Sequence, residues 1–119
     1  MAEQLTDREA DVMRVLWELG PSTVTEVRAA LDDSLAYTTV QTILRILEDK
    51  GFASHEEEGR QHRFHARVAE SDARHNALEH LLGKLFRGSS ELLLTQLVSE
   101  SSLSPEQIRR MRKLLARKD

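Results

Sequence analysis

The segment AYTTVQTILRILEDKGF, residues 36–52, decides the fold that we predict for this chain. With about 100° of rotation per residue in a helix, its apolar arc carries Val40, Ile43, Leu44 and Leu47. The opposite arc carries Thr38, Gln41, Thr42, Arg45 and Asp49. A basic last turn at Lys50 and a glycine stop at Gly51 end the pattern. The segment is therefore predicted to be a helix with one face in a hydrophobic core.

Two further helices are predicted before this segment, the second of them brief, and each is opened by a capping box. Thr6 to Glu9 and Thr23 to Glu26 both have the Thr-x-x-Glu pattern, in which side chains satisfy the exposed backbone donors of a helix start. Gly-Pro at 20–21 ends the first helix, and Asp-Asp-Ser at 32–34 makes the turn after the second. Three short helices in about 45 residues, with a tight turn before the third, are typical of a helix-turn-helix unit.

The residues after the third helix, FASHEEEGRQHRFHARV (52–68), alternate weakly between apolar and polar positions. This pattern predicts two strands joined by a turn at residues 58–60. Because an isolated hairpin is marginally stable in water, we expect it to lie against the helices. The predicted fold class is mainly α with a small β-hairpin, and residues 1–69 are predicted to form a winged helix-turn-helix domain.

Residues 70–119 have a helical, leucine-rich pattern that predicts three helices and a dimerisation region. Ser71 is the predicted cap of the first helix, and Ser104 with Pro105 opens the last. Three short helices cannot cover this many leucines by themselves, so a partner chain is expected to cover them. The predicted interface residues are Leu81, Leu82, Leu85, Leu93, Leu94, Leu97, Met111 and Leu114.

Length and composition exclude several classes of protein. The chain has 119 residues, 39% of them hydrophobic, which suits one domain or a small domain with an oligomerisation segment. No apolar run approaches the roughly 20 residues needed to span a bilayer, and the N-terminus lacks a signal-peptide pattern. The protein is therefore expected to be cytoplasmic, without membrane insertion. The absence of cysteine excludes disulfides, thiol catalysis and cysteine-containing metal sites.

The net charge of −3 argues mildly against a nucleic-acid partner, because phosphate neutralisation usually requires a basic surface. Acidic residues outnumber basic ones in residues 1–68, and the reverse holds in residues 69–119. If DNA is the partner, the positive charge must be local.

The polar arc of the third helix has two interpretations. It could be the solvated side of a core helix, or it could contact DNA. Thr, Gln and Arg are side chains that reach base edges and phosphates, whereas a solvated face is usually rich in Glu and Lys. Glu48 and Asp49 would be repelled by DNA, so the predicted contacts are confined to Thr38, Gln41, Thr42 and Arg45. In the hairpin, Arg60, His62 and Arg63 could reach an adjacent groove, and Arg60 at the tip is the first candidate, although an ordinary charged turn is an equal alternative.

Neither a metal site nor an enzyme is predicted. The five histidines have no spacing that defines a metal site, and surface histidines are the default. The chain has no Gly-rich phosphate loop, nucleophile elbow or metalloprotease helix. We expect no cofactor.

Several segments carry a family resemblance, in order and across nearly the whole chain. They are LTDREADVMRVLWELGPSTVTEV (5–27), YTTVQTIL (37–44) followed by KGF (50–52), RQHRFHARV (60–68), LFRGSSELLLTQLV (85–98) and LSPEQIRRMRKLL (103–115). Together they resemble the BlaI/MecI-type penicillinase repressor family. A generic winged-helix similarity would have ended at residue 68.

The resemblance implies a homodimeric repressor whose winged helix binds palindromic operator DNA and whose C-terminal helices intertwine. Ile46 stands where many relatives have Arg, which implies a shifted or missing phosphate contact there. The absence of cysteine excludes the copper-responsive branch. The residues matching the recognition helix are Thr38, Thr39, Gln41 and Thr42, and Arg60 matches the wing.

The resemblance also implies a route of induction. In the family, a membrane sensor protease triggered by a β-lactam causes cleavage in the dimerisation region. The matching bond lies between Gln96 and Leu97, where relatives typically have Asn-Phe. Two alternatives stay open: a repressor that controls genes unrelated to β-lactam resistance, and a winged-helix module that binds proteins, which the acidic residues Glu56 to Glu58 motivate.

Overall fold

The structure of the protein is a computed structural model that describes residues 4–31 and 34–118. The predicted fold class is confirmed, because the chain is mainly helical with a small antiparallel sheet in a winged helix-turn-helix order. In chain order the elements are α1 (Asp7–Leu19), β1 (Ser22–Thr23), α2 (Val24–Ala30), α3 (Tyr37–Asp49), β2 (Ala53–Glu58), β3 (Gln61–Ala66), α4 (Glu70–Leu85), α5 (Ser90–Glu100) and α6 (Pro105–Arg117).

The chain divides into two compact units, Met1–Leu78 and Glu79–Asp119. This division falls inside α4, whereas the sequence placed the domain boundary ahead of that helix. The domain ranges 1–69 and 70–119 stay a prediction. Of the predicted turn at 32–34, Asp32 and Asp33 lie outside the described residues.

Both predicted capping boxes form, and they set where α1 and α2 begin. The Thr6 hydroxyl accepts from the Glu9 N–H at 3.3 Å, and the Glu9 carboxylate accepts from the Thr6 N–H at 2.9 Å. The same exchange joins Thr23 and Glu26, at 3.2 and 2.8 Å. Each box satisfies two backbone donors that a first helical turn leaves unpaired, so these starts are determined locally.

The core of the first unit lies between the first three helices and the sheet. The predicted apolar arc of α3 is confirmed as its buried face, although Ile43 is only partly buried. The Trp17 indole Nε1 donates to the Val68 carbonyl at 2.8 Å, which ties α1 to the segment after β3. The largest fully buried side chains are Val12, Met13, Leu16, Val27, Val40, Leu44 and Leu47.

α3 ends in a Schellman motif at the predicted stop. The Phe52 N–H donates to the Leu47 carbonyl at 2.9 Å, and the Gly51 N–H donates to the Glu48 carbonyl at 3.0 Å. Gly51 has a φ of 87°, in the left-handed region that favours glycine. The motif reverses the chain so that Phe52 and Ala53 enter the core and β2 follows α3 at once.

β2 and β3 form the predicted hairpin, the wing, and they pair as far as Glu58 opposite Gln61. The connecting residues are Gly59 and Arg60. Gly59 has a φ of 63°, and Arg60 has no positive φ. A positive φ at the first loop position alone is the pattern of a type II′ turn. The turn places Arg60 at the tip of the wing.

The sheet contains a third strand, β1, that the sequence analysis did not predict. Ser22 pairs with Phe64, and Thr23 pairs with Arg63, on the edge of β3 away from β2. Because β1 ends at Thr23, its pairing stops at Arg63, and the hairpin beyond that residue has two strands.

The C-terminal helices form where the sequence predicted helices, with one correction. Ser104 makes a third capping box with Gln107. The predicted cap Ser71 is wrong, because α4 begins at Glu70 and the Ala69 carbonyl accepts the first-turn hydrogen bonds. Ser71 therefore lies inside the first turn. Within the described residues, no helix is both long and apolar enough to cross a membrane.

Candidate nucleic-acid interface

The outer face of α3 presents the predicted DNA-contact residues. Thr38, Thr39, Thr42 and Arg45 are exposed, and Gln41 is half-buried. The Thr42 hydroxyl donates to the Thr38 carbonyl at 2.9 Å. Thr42 can therefore still accept a hydrogen bond, but it would have to release its present one before donating to a phosphate.

The start of α3 differs from the starts of α1 and α2. Ala36 is its N-cap and provides no side-chain hydrogen bond, and the first turn has no acidic residue. Among the described residues, no side chain caps the first backbone N–H groups of α3, in contrast to the capping boxes of α1 and α2. Such a helix start favours a nearby anion.

A groove of about 210 Å³ lies between α3 and the wing. It brings together three of the predicted contact residues, Gln41 and Arg45 from α3 and Arg60 from the wing tip. The threonines at 38, 39 and 42 are not part of its lining. The remaining polar lining residues are Tyr37, Glu48, His55, Gln61 and His62.

Glu48, which the sequence analysis treated as repelled by DNA, is paired with the wing. Nδ1 of His55 lies 2.8 and 2.9 Å from the two carboxylate oxygens of Glu48. The His55 ring also stacks on the His62 ring, with centroids 4.2 Å apart and planes 12° from parallel. The carboxylate is therefore held by the wing, and α3 is joined to β2 and β3 at this point. No sequence pattern indicates this contact, because it forms only once the Schellman turn brings β2 beside α3.

The acidic run Glu56 to Glu58 divides between the two faces of the sheet. Residues directly opposite each other in an antiparallel pair lie on the same face, and successive residues alternate. Glu57 is opposite His62 and therefore lies on the face that carries His55, next to α3. Glu56 and Glu58 lie on the other face, with Arg63. The run is therefore not a single acidic surface.

Arg63 binds four acceptors on that second face. Its Nε and Nη2 donate to the two carboxylate oxygens of Glu58, at 2.8 and 3.1 Å. Its Nη1 donates to Oε1 of Glu26 at 3.0 Å and to the Pro21 carbonyl at 3.2 Å. Arg63 thus joins the wing to the chain around the start of α2.

The pKa values of these groups reflect the same contacts. The hydrogen bond between Arg63 and Glu58 raises the pKa of Arg63 and lowers the pKa of Glu58. For Glu26, the hydrogen bond from the Thr23 backbone is the largest cause that lowers the pKa, and the charge of Arg63 lowers it further. The charged forms of all three side chains are therefore favoured by their surroundings.

Arg45 and Arg60 differ from Arg63. In the part of the chain that the structure describes, neither guanidinium has a hydrogen bond or an ion pair. Both line the groove between α3 and the wing. A guanidinium group offers five donors in a planar fork that fits phosphate oxygens or the edge of guanine. Within residues 4–31 and 34–118, the groove therefore has two guanidinium groups without a protein partner, and their geometry suits nucleic acid.

The helices of the C-terminal region leave their apolar side chains uncovered. Within their described positions, α4, α5 and α6 contain no buried residue. Leu82 and Leu93 are half-buried, and the other predicted interface residues are exposed: Leu81, Leu85, Leu94, Leu97, Met111 and Leu114. Exposed apolar residues that the prediction did not include are Leu78, Leu92, Val98, Ile108 and Leu115.

The bond predicted for cleavage, between Gln96 and Leu97, lies inside α5 and both residues are exposed.

No group of three His, Asp or Glu side chains within residues 4–31 and 34–118 could hold a metal ion. His55 and His62 stack face to face instead of converging on a common point.

The chain matches a known protein family over a region that includes parts of both compact units. The model of the family described as penicillinase repressor matches residues 5–117. The chain belongs to the penicillinase repressor family. This confirms the resemblance found in the sequence. Members of the penicillinase repressor family are transcriptional repressors and not enzymes, so the chain is classed as a DNA-binding transcriptional repressor.

Individual relatives agree with the family assignment. The chain is 27% identical to the penicillinase repressor of Bacillus licheniformis over 114 residues, which cover 94% of this chain and 89% of the relative. It is 20% identical to the methicillin resistance regulatory protein MecI of Staphylococcus aureus (strain N315) over 117 residues, covering 97% and 95% of the two chains. A 16.5 kDa protein in the ptsI 3′ region of Latilactobacillus sakei is 30% identical over 117 residues, covering 97% and 80%.

Solved structures with the same fold include two bacterial proteins. ZitR of Lactococcus lactis has a TM-score of 0.50 at 17% identity, covering 98% of this chain and 75% of ZitR. BpsR of Bordetella bronchiseptica has a TM-score of 0.50 at 15% identity, covering 96% and 74%. At these identities, the comparison shows that the present chain shares its fold with ZitR and BpsR. Nothing about the ligands of the present chain follows from it.

Proposed function

We propose that the protein is a homodimeric repressor that binds palindromic operator DNA, with α3 as the recognition helix and the wing as a second contact. The observation that carries this proposal is the groove in which Gln41, Arg45 and Arg60 lie together, with neither guanidinium group bonded to another described residue. Family membership supports the same conclusion. The proposed cellular location is the cytoplasm.

The polar side chains of α3 have distinct roles in this proposal. Gln41 can form two hydrogen bonds with adenine in the major groove, and Arg45 can do so with guanine or bind a phosphate. Thr38 and Thr39 lie in the first turn of α3, where backbone donors that no described side chain caps favour phosphate. Arg60 would reach the DNA backbone or an adjacent groove from the wing. Phosphate contacts would set the register, and Gln41 and Arg45 would read the sequence.

Three acidic side chains near the wing are held by other residues of the chain, which is compatible with this function. Glu48 is held by His55, while Glu26 and Glu58 are held by Arg63. Arg45 and Arg60 then provide local positive charge at the groove. Since few phosphates would be neutralised per chain, we expect a modest dependence of affinity on salt for each half-site.

A homodimer would allow two such weak half-site readers to act together. The exposed apolar residues of α4 to α6 support an interface between C-terminal regions, because an apolar surface of this kind is uncommon on a monomer. Two linked DNA-binding domains combine their binding free energies with little further cost of association. A palindromic operator would match the twofold symmetry of such a dimer.

The experiment that tests the function is a mobility shift with the promoter DNA upstream of its own gene. We expect retardation that is selective over random DNA of the same length and that weakens as salt increases. Equal binding to both DNAs, or no binding, would overturn the repressor proposal.

The inducing signal in this proposal is proteolysis of the dimerisation region, and the regulated genes are those of β-lactam resistance. The candidate bond between Gln96 and Leu97 lies in α5, so a protease would need local unwinding of that helix. A chain ending at Gln96 should bind operator DNA more weakly than the full chain. A membrane sensor protease encoded beside the gene would support this signal, and neighbouring genes unrelated to β-lactams would favour a different regulon.

The alternative function is a winged-helix module that binds proteins. The observation in its favour is that Glu56 and Glu57 are exposed on the wing and have no ion pair among the described residues. The mobility shift separates the two functions, because a protein-binding module would not discriminate operator DNA from random DNA.

A further inference from the structure

The outer part of the wing has little support from the rest of the sheet. Pairing with β1 ends at Arg63, so the rungs formed by His62 with Glu57 and by Gln61 with Glu58 belong to a two-stranded hairpin. Two-stranded hairpins are marginally stable in water. On the side of α3, the wing is held by the stacking of His62 on His55, which binds Glu48. Without a second constraint on the opposite face of the sheet, the tip that carries Arg60 should still move relative to α3.

Arg63 stands at the last rung that β1 supports, and it supplies such a constraint. Its fork binds both carboxylate oxygens of Glu58, the residue just before the Gly59-Arg60 turn. The same guanidinium is bound to the Pro21 carbonyl and to Glu26. Glu26 is itself fixed, because its carboxylate accepts the Thr23 N–H in the capping box of α2.

We propose that Arg63 is a positioning residue that holds the wing tip against the helix-turn-helix, so that Arg60 can contact DNA. This inference rests on the proposed function. It assigns Arg60 as the contact and Arg63 as the residue that places it. The chain of hydrogen bonds runs from the α2 cap through Glu26 and Arg63 to Glu58 beside the turn.

Arg63 is poorly placed to be a DNA contact itself. Register puts it on the face of the sheet away from His55 and His62, which line the groove beside α3. Its three guanidinium nitrogens are engaged by four acceptors, whereas Arg60 has none in the described chain. Binding a phosphate through Arg63 would require it to release Glu58 or Glu26.

The geometry also explains why arginine is needed at this position. Exposed ion pairs usually contribute little, but bidentate pairs within a network are the exception. A planar fork can hold Glu58 with two donors while a third nitrogen reaches Glu26. A lysine ammonium is a compact charge on a flexible chain and cannot reproduce that fixed geometry. Arg63→Lys should therefore behave more like a loss of function than a conservative change.

A double-mutant cycle on operator binding tests the inference. Arg63→Met should weaken operator binding by about tenfold, comparable with Arg60→Ala. In the Arg60→Ala background, adding Arg63→Met should cause little further loss, because the residue being positioned is already absent. A full further tenfold loss in that background would overturn the positioning role.

A matched control separates the placement of Arg60 from the loss of one positive charge. Arg67 is an exposed arginine just after β3 that has no side-chain partner in the described chain. Arg67→Met removes the same charge from the same unit, and it should weaken operator binding much less than Arg63→Met. Equal losses would mean that total charge, and not the placement of Arg60, is responsible.

Amide hydrogen exchange of the free protein provides a readout that does not depend on DNA. In Arg63→Met, exchange should accelerate at residues 57–62 and stay unchanged in α1 and α3, which also shows that the variant is folded. Unchanged exchange at the wing would overturn the inference. If the wild-type chain fails to bind operator DNA, the proposed function fails, whereas operator binding with an additive cycle would refute the positioning role alone.

Discussion

Glu9 is a buried carboxylate in the first turn of α1, with 5% of the residue exposed. Nζ of Lys50 lies 2.7 Å from its Oε1 and also donates to the Gln4 carbonyl at 3.1 Å. Burial raises the pKa of Glu9, but the hydrogen bonds from Lys50 and Thr6 outweigh burial and hold the pKa below its usual 4.5. This ion pair joins the start of α1 to the end of α3, and its contribution to stability therefore depends on pH.

The contribution of Glu9 should be lost in acid. Because its pKa is lower in the folded chain than in the unfolded chain, the pair stabilises fully above about pH 4.5 and less as pH falls through the folded-state pKa. Lys50→Met should reduce the free energy of unfolding at pH 7 by about 3 kcal/mol, because it leaves a charge buried without its partner. The difference from wild type should narrow below about pH 4 in urea titrations, since protonated Glu9 has no charge to pair. A difference that does not vary with pH would contradict this account.

The assignment of base reading to Gln41 and Arg45 leads to a second prediction at the residue scale. Gln41→Ala or Arg45→Ala should reduce the preference for operator over random DNA by about 1 to 3 kcal/mol. The two free energies are measured by fluorescence anisotropy at one salt concentration. An equal loss on both DNAs would mean that the residue only binds the backbone.

At the scale of elements, the features that the sequence predicted are those set by near neighbours. The capping boxes and the Gly51 stop depend on side chains within a few residues, so their patterns are visible before folding. β1 was missed because two residues show no periodicity and its partner Phe64 is far along the chain. The contact between Arg63 and Glu26 was missed for the same reason, since the two residues are 37 positions apart. The candidate groove needed the fold, although its three polar contacts were named from residue type.

Gly51 is the element-scale feature whose substitution has a defined cost. A Cβ at this position would meet nothing within 4 Å, so the strain of Gly51→Ala comes from its φ of 87° alone. We expect a loss of about 1 to 2 kcal/mol in the free energy of unfolding, measured with urea. Gly51→Asn is the control, because asparagine tolerates the left-handed region better, and its loss should be smaller. Equal losses would point to a cause other than backbone conformation.

At the scale of the whole molecule, the two compact units have different sources of stability. The first unit buries its own apolar side chains between α1, α2, α3 and the sheet. The second unit buries none within its described positions in α5 and α6. A unit that leaves its leucines exposed gains most of its burial by association, so we expect its folding and its dimerisation to be coupled.

Leu114 and Leu19 allow a matched test of dimerisation through the second unit, because each residue is 59% exposed within the single chain. Leu114 lies on α6 in the proposed interface, whereas Leu19 ends α1 in the first unit. Leu114→Asp should give a monomer by sedimentation equilibrium, since association would bury an unpaired carboxylate. Leu19→Asp should remain a dimer. The Leu114 variant should also bind operator DNA more weakly, because its two half-site free energies no longer combine. A dimeric Leu114→Asp chain would show that the apolar side of α6 is not the interface, and loss of the dimer in Leu19→Asp would place α1 within it.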